Sequence, residues 1–146
     1  MGLRNILRFS NFIEKSKNRV VKLSKIEEVS KILNDLETKV SDVIGTAVIR
    51  TNGLVIASAL PGESNERLIA AMSAALLGTS KRTAEALFNG EFKSLNLELD
   101  KGNMFLIGAG RVILVCITKK EPNIGLITLE MEDSSKKVAE IFQSEE

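Results

Sequence analysis

An alanine-rich segment near the middle of the chain constrains the fold most. From Leu68 to Gly78 every side chain is apolar, small or hydroxyl-bearing, and the uncharged run extends to Ser80, thirteen residues in all. Ser64 or Asn65 can cap a helix ahead of this run and Asn89-Gly90 can stop one behind it, which predicts a helix over residues 64–88. A helix resting on a sheet needs one apolar stripe about 100° wide. This one is apolar on two faces. It also carries a row of small residues, Ala71, Ala74 or Ala75, and Gly78, spaced so that they share one side. Small side chains let a second backbone come close. The pattern therefore calls for two covers, the sheet of its own domain and a second helix. That second helix is either another copy of the chain, since twofold homodimers are the commonest assembly, or another helix of the same chain.

The flanking sequence supplies the sheet. Ser24 and Glu27 have the S-x-x-E spacing of a capping box, and Ile26, Val29, Leu33, Leu36 and Val40 follow at helical period, predicting a helix over residues 24–39. Two β-rich runs, residues 43–50 and 54–59, flank Asn52-Gly53, a dipeptide suited to the positive φ of a tight hairpin turn. Beyond the alanine-rich helix, residues 92–99 alternate apolar with polar. Asp100-Lys101-Gly102 reads as a turn, residues 103–107 as a strand, Gly108-Ala109-Gly110 as a turn and residues 111–118 as a last strand. Asn123 can cap a final helix bearing Ile124, Ile127, Met131, Val138, Ile141 and Phe142, although residues 124–131 also pass as a strand. The expected order is α-β-β-α-β-β-β-α. This is an α/β sandwich, a five-stranded antiparallel sheet with helices on both faces. Residues 24–146 form the domain and residues 1–23 an arm ahead of it.

Composition removes several function classes. The chain of 146 residues has no histidine and a single cysteine, Cys116, so a histidine-based triad, a Cys/His zinc site and a disulfide framework are excluded. Cys116 sits among Ile113, Leu114, Val115 and Ile117 and reads as a small core residue. Glu85, Glu98 and Asp100 belong to no constellation with a nucleophile, and Gly108-x-Gly110 lacks the rest of a dinucleotide fingerprint. No catalytic residue, cofactor or metal is expected. No uncharged run reaches the ~20 residues that span a bilayer, Arg4 and Arg8 interrupt any signal-peptide core, and Ile6 stands where a myristoylation motif after Gly2 wants Ser or Thr. A cytoplasmic protein is expected, with peripheral membrane contact left open by its charge pattern. Residues 1–25 carry seven basic residues and one acid, net +6, against a total of +1, so the body is −5. The arm is either an extra helix packed on the domain, a frayed tail, or a surface on which Arg4, Arg8, Lys15, Lys17, Arg19 and Lys22 meet anionic lipid or an acidic partner. An acidic body without Tyr or Trp argues against nucleic acid.

Three stretches together resemble the Roadblock family, the domain of dynein light chains and of prokaryotic regulators of Ras-like GTPases. They are the strand-turn-strand from Gly45 to Ser58, the alanine-rich helix from Glu66 to Phe88, and Pro122-Asn123-Ile124-Gly125-Leu126 opening the last helix. The resemblance covers about residues 24–142. It implies a profilin-like sandwich that pairs its second helix and third strand with those of another copy. Ala71, Ala74, Ala75 and Gly78 would then line the interface together with Phe92, Ser94, Asn96 and Glu98. It implies a Ras-like small GTPase as partner, bound as scaffold or GTPase-activating protein. The partner face falls on Glu66, Arg67, Ala70, Leu77, Lys81 and Arg82. The chain has no G-x-x-x-x-G-K-[ST] loop, so the GTPase is a separate chain. Stimulated hydrolysis would come from ordering the GTPase's own residues, or from an arginine finger at Arg67 or Arg82.

Overall fold

A single helix, α1 (Gly2–Lys39), leads into the first strand in a computed structural model that describes residues 2–62 and 64–143. At 38 residues it is about 57 Å long. This corrects the expected start at residue 24. Ser24 lies mid-helix, because residues 3–39 contain neither glycine nor proline and a serine inside a helix costs only a few tenths of a kcal/mol relative to alanine. The arm and the first domain helix are one element. The first buried side chain along it is Val29. Met1 of the expected arm and Glu63 and residues 144–146 of the expected domain lie outside the described residues.

The other elements are β1 (Val43–Arg50), β2 (Val55–Ala59), α2 (Glu66–Phe88), β3 (Ser94–Glu98), β4 (Gly102–Ala109), β5 (Val112–Lys119) and α3 (Ile124–Phe142). The five strands form one antiparallel sheet in the order β2-β1-β5-β4-β3. Gly53 turns the first hairpin at φ +91°, with Arg50 N donating to Leu54 O at 2.8 Å. Gly110 turns the last at φ +66°, so β4 runs through Ala109 rather than stopping at residue 107. Asn123 Oδ1 accepts from Leu126 N at 3.1 Å, which makes the tail helical from Ile124 and removes the strand alternative. Asp42 fastens the two ends of the sandwich, since its carboxylate accepts from Asn123 N at 3.0 Å and its carbonyl from Lys119 N at 3.0 Å.

Strand alternation divides the core in two. On one face Val48, Ala57, Phe105, Leu114 and Cys116 pack against Val29, Leu33 and Leu36 of α1 and Ile127, Met131 and Val138 of α3. On the other, Ala47, Ile49, Leu106, Ile113 and Val115 pack against Ala70 and Leu77 of α2. Both amphipathic helices thus share one face and α2 has the other to itself.

Candidate functional site

The second helix is held at both ends by asparagine. Asn65 Oδ1 accepts from Leu68 N at 3.1 Å, and Asn89, left-handed at φ 49°, donates its backbone N–H to Glu85 O at 2.9 Å. Its underside is Ala70, Ser73 and Leu77, all buried, with the Ser73 hydroxyl satisfied by Ile69 O at 2.7 Å. Small side chains on one flank, Ala71 and Ala74, let the β1–β2 turn approach closely. A Cβ placed on Gly53 would lie 3.8 Å from Ala71 Cα and 3.9 Å from Ala74 Cβ.

The outer side of α2 is uncovered, since α1 and α3 pack across the sheet from it. Leu68 is 53% exposed and Met72 45%, and with exposed Ala75 and Thr79 they form a stripe at i, i+4, i+7 and i+11. Ala71 is exposed beside this stripe, while Ala74 and Gly78 are half-buried. Around Gly78 there is open space, for an added Cβ would meet only the Arg82 guanidinium, at 3.8 Å. A mid-helix glycine costs about 1 kcal/mol relative to alanine, and nothing among the described residues of its own chain requires it there. At the C-terminal end Phe88 is 83% exposed.

Among the described residues the third strand is an edge, paired only with β4. Register places Leu95 opposite Leu106 and Leu97 opposite Met104, on the α2 face, and Asn96 opposite Phe105, on the α3 face. Leu95, Leu97 and Met104 are only half-buried, so the cover provided by α2 thins toward this edge.

The proposed interface residues therefore do not share one surface. Ala71, Ala74, Ala75 and Gly78 lie on α2, with half-buried Phe92 packed on the same side of the sheet. Ser94, Asn96 and Glu98 are exposed on the opposite face, where Asn103 Nδ2 donates to Asn96 Oδ1 at 3.2 Å. The two groups meet only through the backbone edge of β3. On the GTPase-partner face, Glu66, Arg67, Lys81 and Arg82 are exposed at the two ends of α2, and Ser58 Oγ donates to Glu66 Oε1. Ala70 and Leu77 are a correction. They are 0% and 4% exposed, buried under α2 against its own sheet, and cannot touch a partner. Sequence reasoning also passed over Leu68 and Met72, the largest apolar groups on the outer face. Their exposure depends on which way α2 is rolled, which composition does not specify.

Arg4, Arg8, Lys15, Lys17, Arg19 and Lys22 are all exposed along the projecting part of α1. Among the described residues no helix is long and apolar enough to cross a membrane, and no three acidic or cysteine side chains gather as metal ligands. Cys116 is fully buried, and burial, with a smaller push from Glu37, raises its thiol to about 12, which leaves no reactive thiolate near neutral pH.

Comparison with known proteins matches this architecture. Residues 29–118, more than half the chain, match the Roadblock/LC7 domain model, and the match begins at the first buried side chain of α1. The protein MJ1340 of Methanocaldococcus jannaschii is 33% identical over 114 residues, covering 78% of this chain and 99% of its own. Among solved structures, MglB in a tetrameric arrangement superposes with a TM-score of 0.76 at 16% identity, over 82% of this chain and 90% of that one. MglB of Myxococcus xanthus gives 0.75 at 21%, with the same coverage. Acanthamoeba castellanii profilin IA gives 0.54 at 11%, over 74% of this chain and 96% of its own. At these identities the structural likeness speaks for the fold, a profilin-like sandwich. The family model, matching more than half the chain, goes further: the chain belongs to the Roadblock/LC7 domain family.

Proposed function

We propose that this protein is a non-enzymatic scaffold or regulator that works as a homodimer and binds a Ras-like small GTPase in the cytoplasm. The observation that carries the reading is the second apolar face of α2, which no other element covers among the described residues. Pairing two α2 helices antiparallel about Ala75 and Gly78 would bury Leu68 and Met72. It would also bring the partner's helix over the half-covered Leu95, Leu97 and Met104 and set the two β3 edges side by side. In such a pair the Glu66-Arg67 end of one helix lies near the Lys81-Arg82 end of the other, so one composite rim of charges around an apolar centre is offered to the GTPase. Membership of the Roadblock/LC7 family supports a regulatory rather than catalytic role. The tetrameric arrangement of an MglB supports self-association. Any stimulation of hydrolysis would come from ordering the GTPase's own residues or from an arginine supplied at the rim.

The test uses the full chain. Light scattering at micromolar concentration is expected to report a dimer for the native protein and a single-copy species for Met72→Lys. Ras-like GTPases from the same genome, loaded with GDP or with a GTP analogue, are then passed over the immobilised native protein. Retention of one of them, lost in Arg67→Ala plus Arg82→Ala, supports the composite rim. A native dimer that retains no GTPase in either state rejects the partner. A single-copy native species rejects the pairing. Turnover of the bound GTPase with each arginine replaced singly decides the finger, which a loss of binding without loss of maximal turnover dismisses.

A further inference from the structure

The outward side of α1 changes character along its length. Val29, Leu33 and Leu36 turn one side of the helix into the domain. On the opposite side, at about 100° per residue, Glu27, Lys31, Asn34 and Thr38 are exposed and polar. Follow that same side back past Ser24 and it becomes Ile6, Phe9, Ile13 and Val20, exposed and apolar, with Phe9 64% accessible. The projecting segment, residues 2–24, is about 35 Å long and is exposed throughout.

Its apolar surface is wide. Leu3, Ile6, Leu7, Phe9, Phe12 and Ile13 spread over about 220° of the circumference, with no charged residue among them within residues 3–13, while Glu14 and Lys17 fall in the same arc just beyond Ile13. Arg4 and Arg8 occupy the remaining arc. They continue as one ridge with Lys15, Arg19 and Lys22, all five within about 60° of one another and all exposed. The net charge of residues 2–24 is +5, from six basic residues and Glu14.

We propose that residues 2–24 of α1 form a docking helix that lies in the plane of an anionic membrane surface. A wide apolar arc sinks to the acyl boundary while a narrow basic ridge stays with the headgroups. A second copy of the helix is a poorer occupant. A two-helix seam covers a narrow stripe, here Ile6, Phe9, Ile13, Val20 and Leu23, and leaves Leu3, Leu7 and Phe12 in water. It also brings two arms of like charge together. The orientation agrees with a membrane, because the domain packs on the side of α1 opposite the apolar arc. With the arm flat on lipid, the acidic body sits on the water side, and the polar outward face from Glu27 onward marks where contact with the surface ends.

The proposal is independent of pairing through α2. Its test is sedimentation of the full chain with vesicles of phosphatidylcholine, with and without phosphatidylserine. The native protein is expected to pellet with the anionic vesicles, to bind pure phosphatidylcholine far more weakly, and to be released by salt. Arg4→Gln plus Arg8→Gln should weaken partitioning about thirtyfold. Phe9→Glu should weaken it by more than about tenfold. Both variants keep native unfolding curves, since the replaced side chains touch nothing in the domain. Binding that responds to salt and to the arginines but not to Phe9→Glu would mean that the arm reads charge alone, as an acidic protein partner would use it, and overturns the proposal. So would the absence of pelleting, or a lipid-free assembly that Phe9→Glu dissociates.

Discussion

Replacing Gly78 by alanine separates the two roles of α2, because the expected effects have opposite signs. Within one chain the substitution is favourable. The added methyl meets only the flexible end of Arg82, at 3.8 Å, and alanine is about 1 kcal/mol better than glycine in a helix interior. For a chain of this size that raises the midpoint of thermal unfolding by about 3–4 °C. Across a twofold contact the same methyl is unfavourable. Two copies place two methyls where two backbones approach, and overfilling a packed contact costs about 1–3 kcal/mol. The dimer dissociation constant should therefore rise by about 5- to 150-fold.

The single-chain effect is read by urea unfolding in a Met72→Lys background, which keeps the protein monomeric. The association effect is read by sedimentation equilibrium in the native background. If Gly78→Ala stabilises the chain and leaves the dissociation constant unchanged, the space at Gly78 is not a contact and the small-residue row has no partner. If it destabilises the monomeric background, the open space beside Gly78 is misjudged and the reasoning fails at its first step.

Leu77→Ala should behave as a core truncation, losing about 2–5 kcal/mol of unfolding free energy in the same monomeric background. A loss of partner binding with stability unchanged would return Leu77 to the surface. Gly102→Ala should destabilise the chain by more than about 2 kcal/mol, because a Cβ at Gly102 runs into the carbonyl oxygen of Thr118 on the neighbouring strand; urea unfolding close to native would refute the close approach. The Cys116 thiol, raised from 9.0 to about 12, ties stability to pH. Below pH 9 both states hold the proton and the thiol has no effect. Above it the unfolded chain ionises first, so stability falls by about 1.4 kcal/mol per pH unit until the folded thiol also titrates. Urea unfolding of native and Cys116→Ala proteins from pH 8 to about 11 measures this as a difference in slope, and parallel curves would refute the burial of the thiol.

The ends of α2 were legible because their chemistry is local. Asn65 and Asn89 cap through bonds to backbone groups a few residues away, and that spacing can be read directly. The roll of the helix was not legible. Ala70, Ser73 and Leu77 on one side and Leu68, Met72 and Ala75 on the other are all uncharged and equally periodic. What separates them is contact distant in sequence, the Gly53 turn lodged against Ala71 and Ala74 and the floor of Ile49, Ile113 and Val115. Hence Ala70 and Leu77 read as a binding surface until the sheet was placed beneath them. Strand β3 has the same ambiguity at period two. Its alternation was plain, but only pairing with Leu106 and Phe105 shows that Leu95 faces α2 and Asn96 faces α3.

The first helix inverts this lesson. Ser24 and Glu27 have the spacing of a helix start, yet a capping box can begin a helix only where the chain ahead of it leaves helical geometry. With no glycine or proline in residues 3–39, helical geometry continues through Ser24 without a break. The signal there marks a change of environment instead. Beyond it the periodic side chains are buried in the domain, and before it side chains of the same kind, at the same period, are exposed. Periodicity reports that a face is apolar and is silent on what covers it. Only the sandwich, by filling one face of its sheet with α1 and α3 and leaving the outside of α2 and the first turns of α1 bare, separates surfaces already satisfied from those that still require a partner.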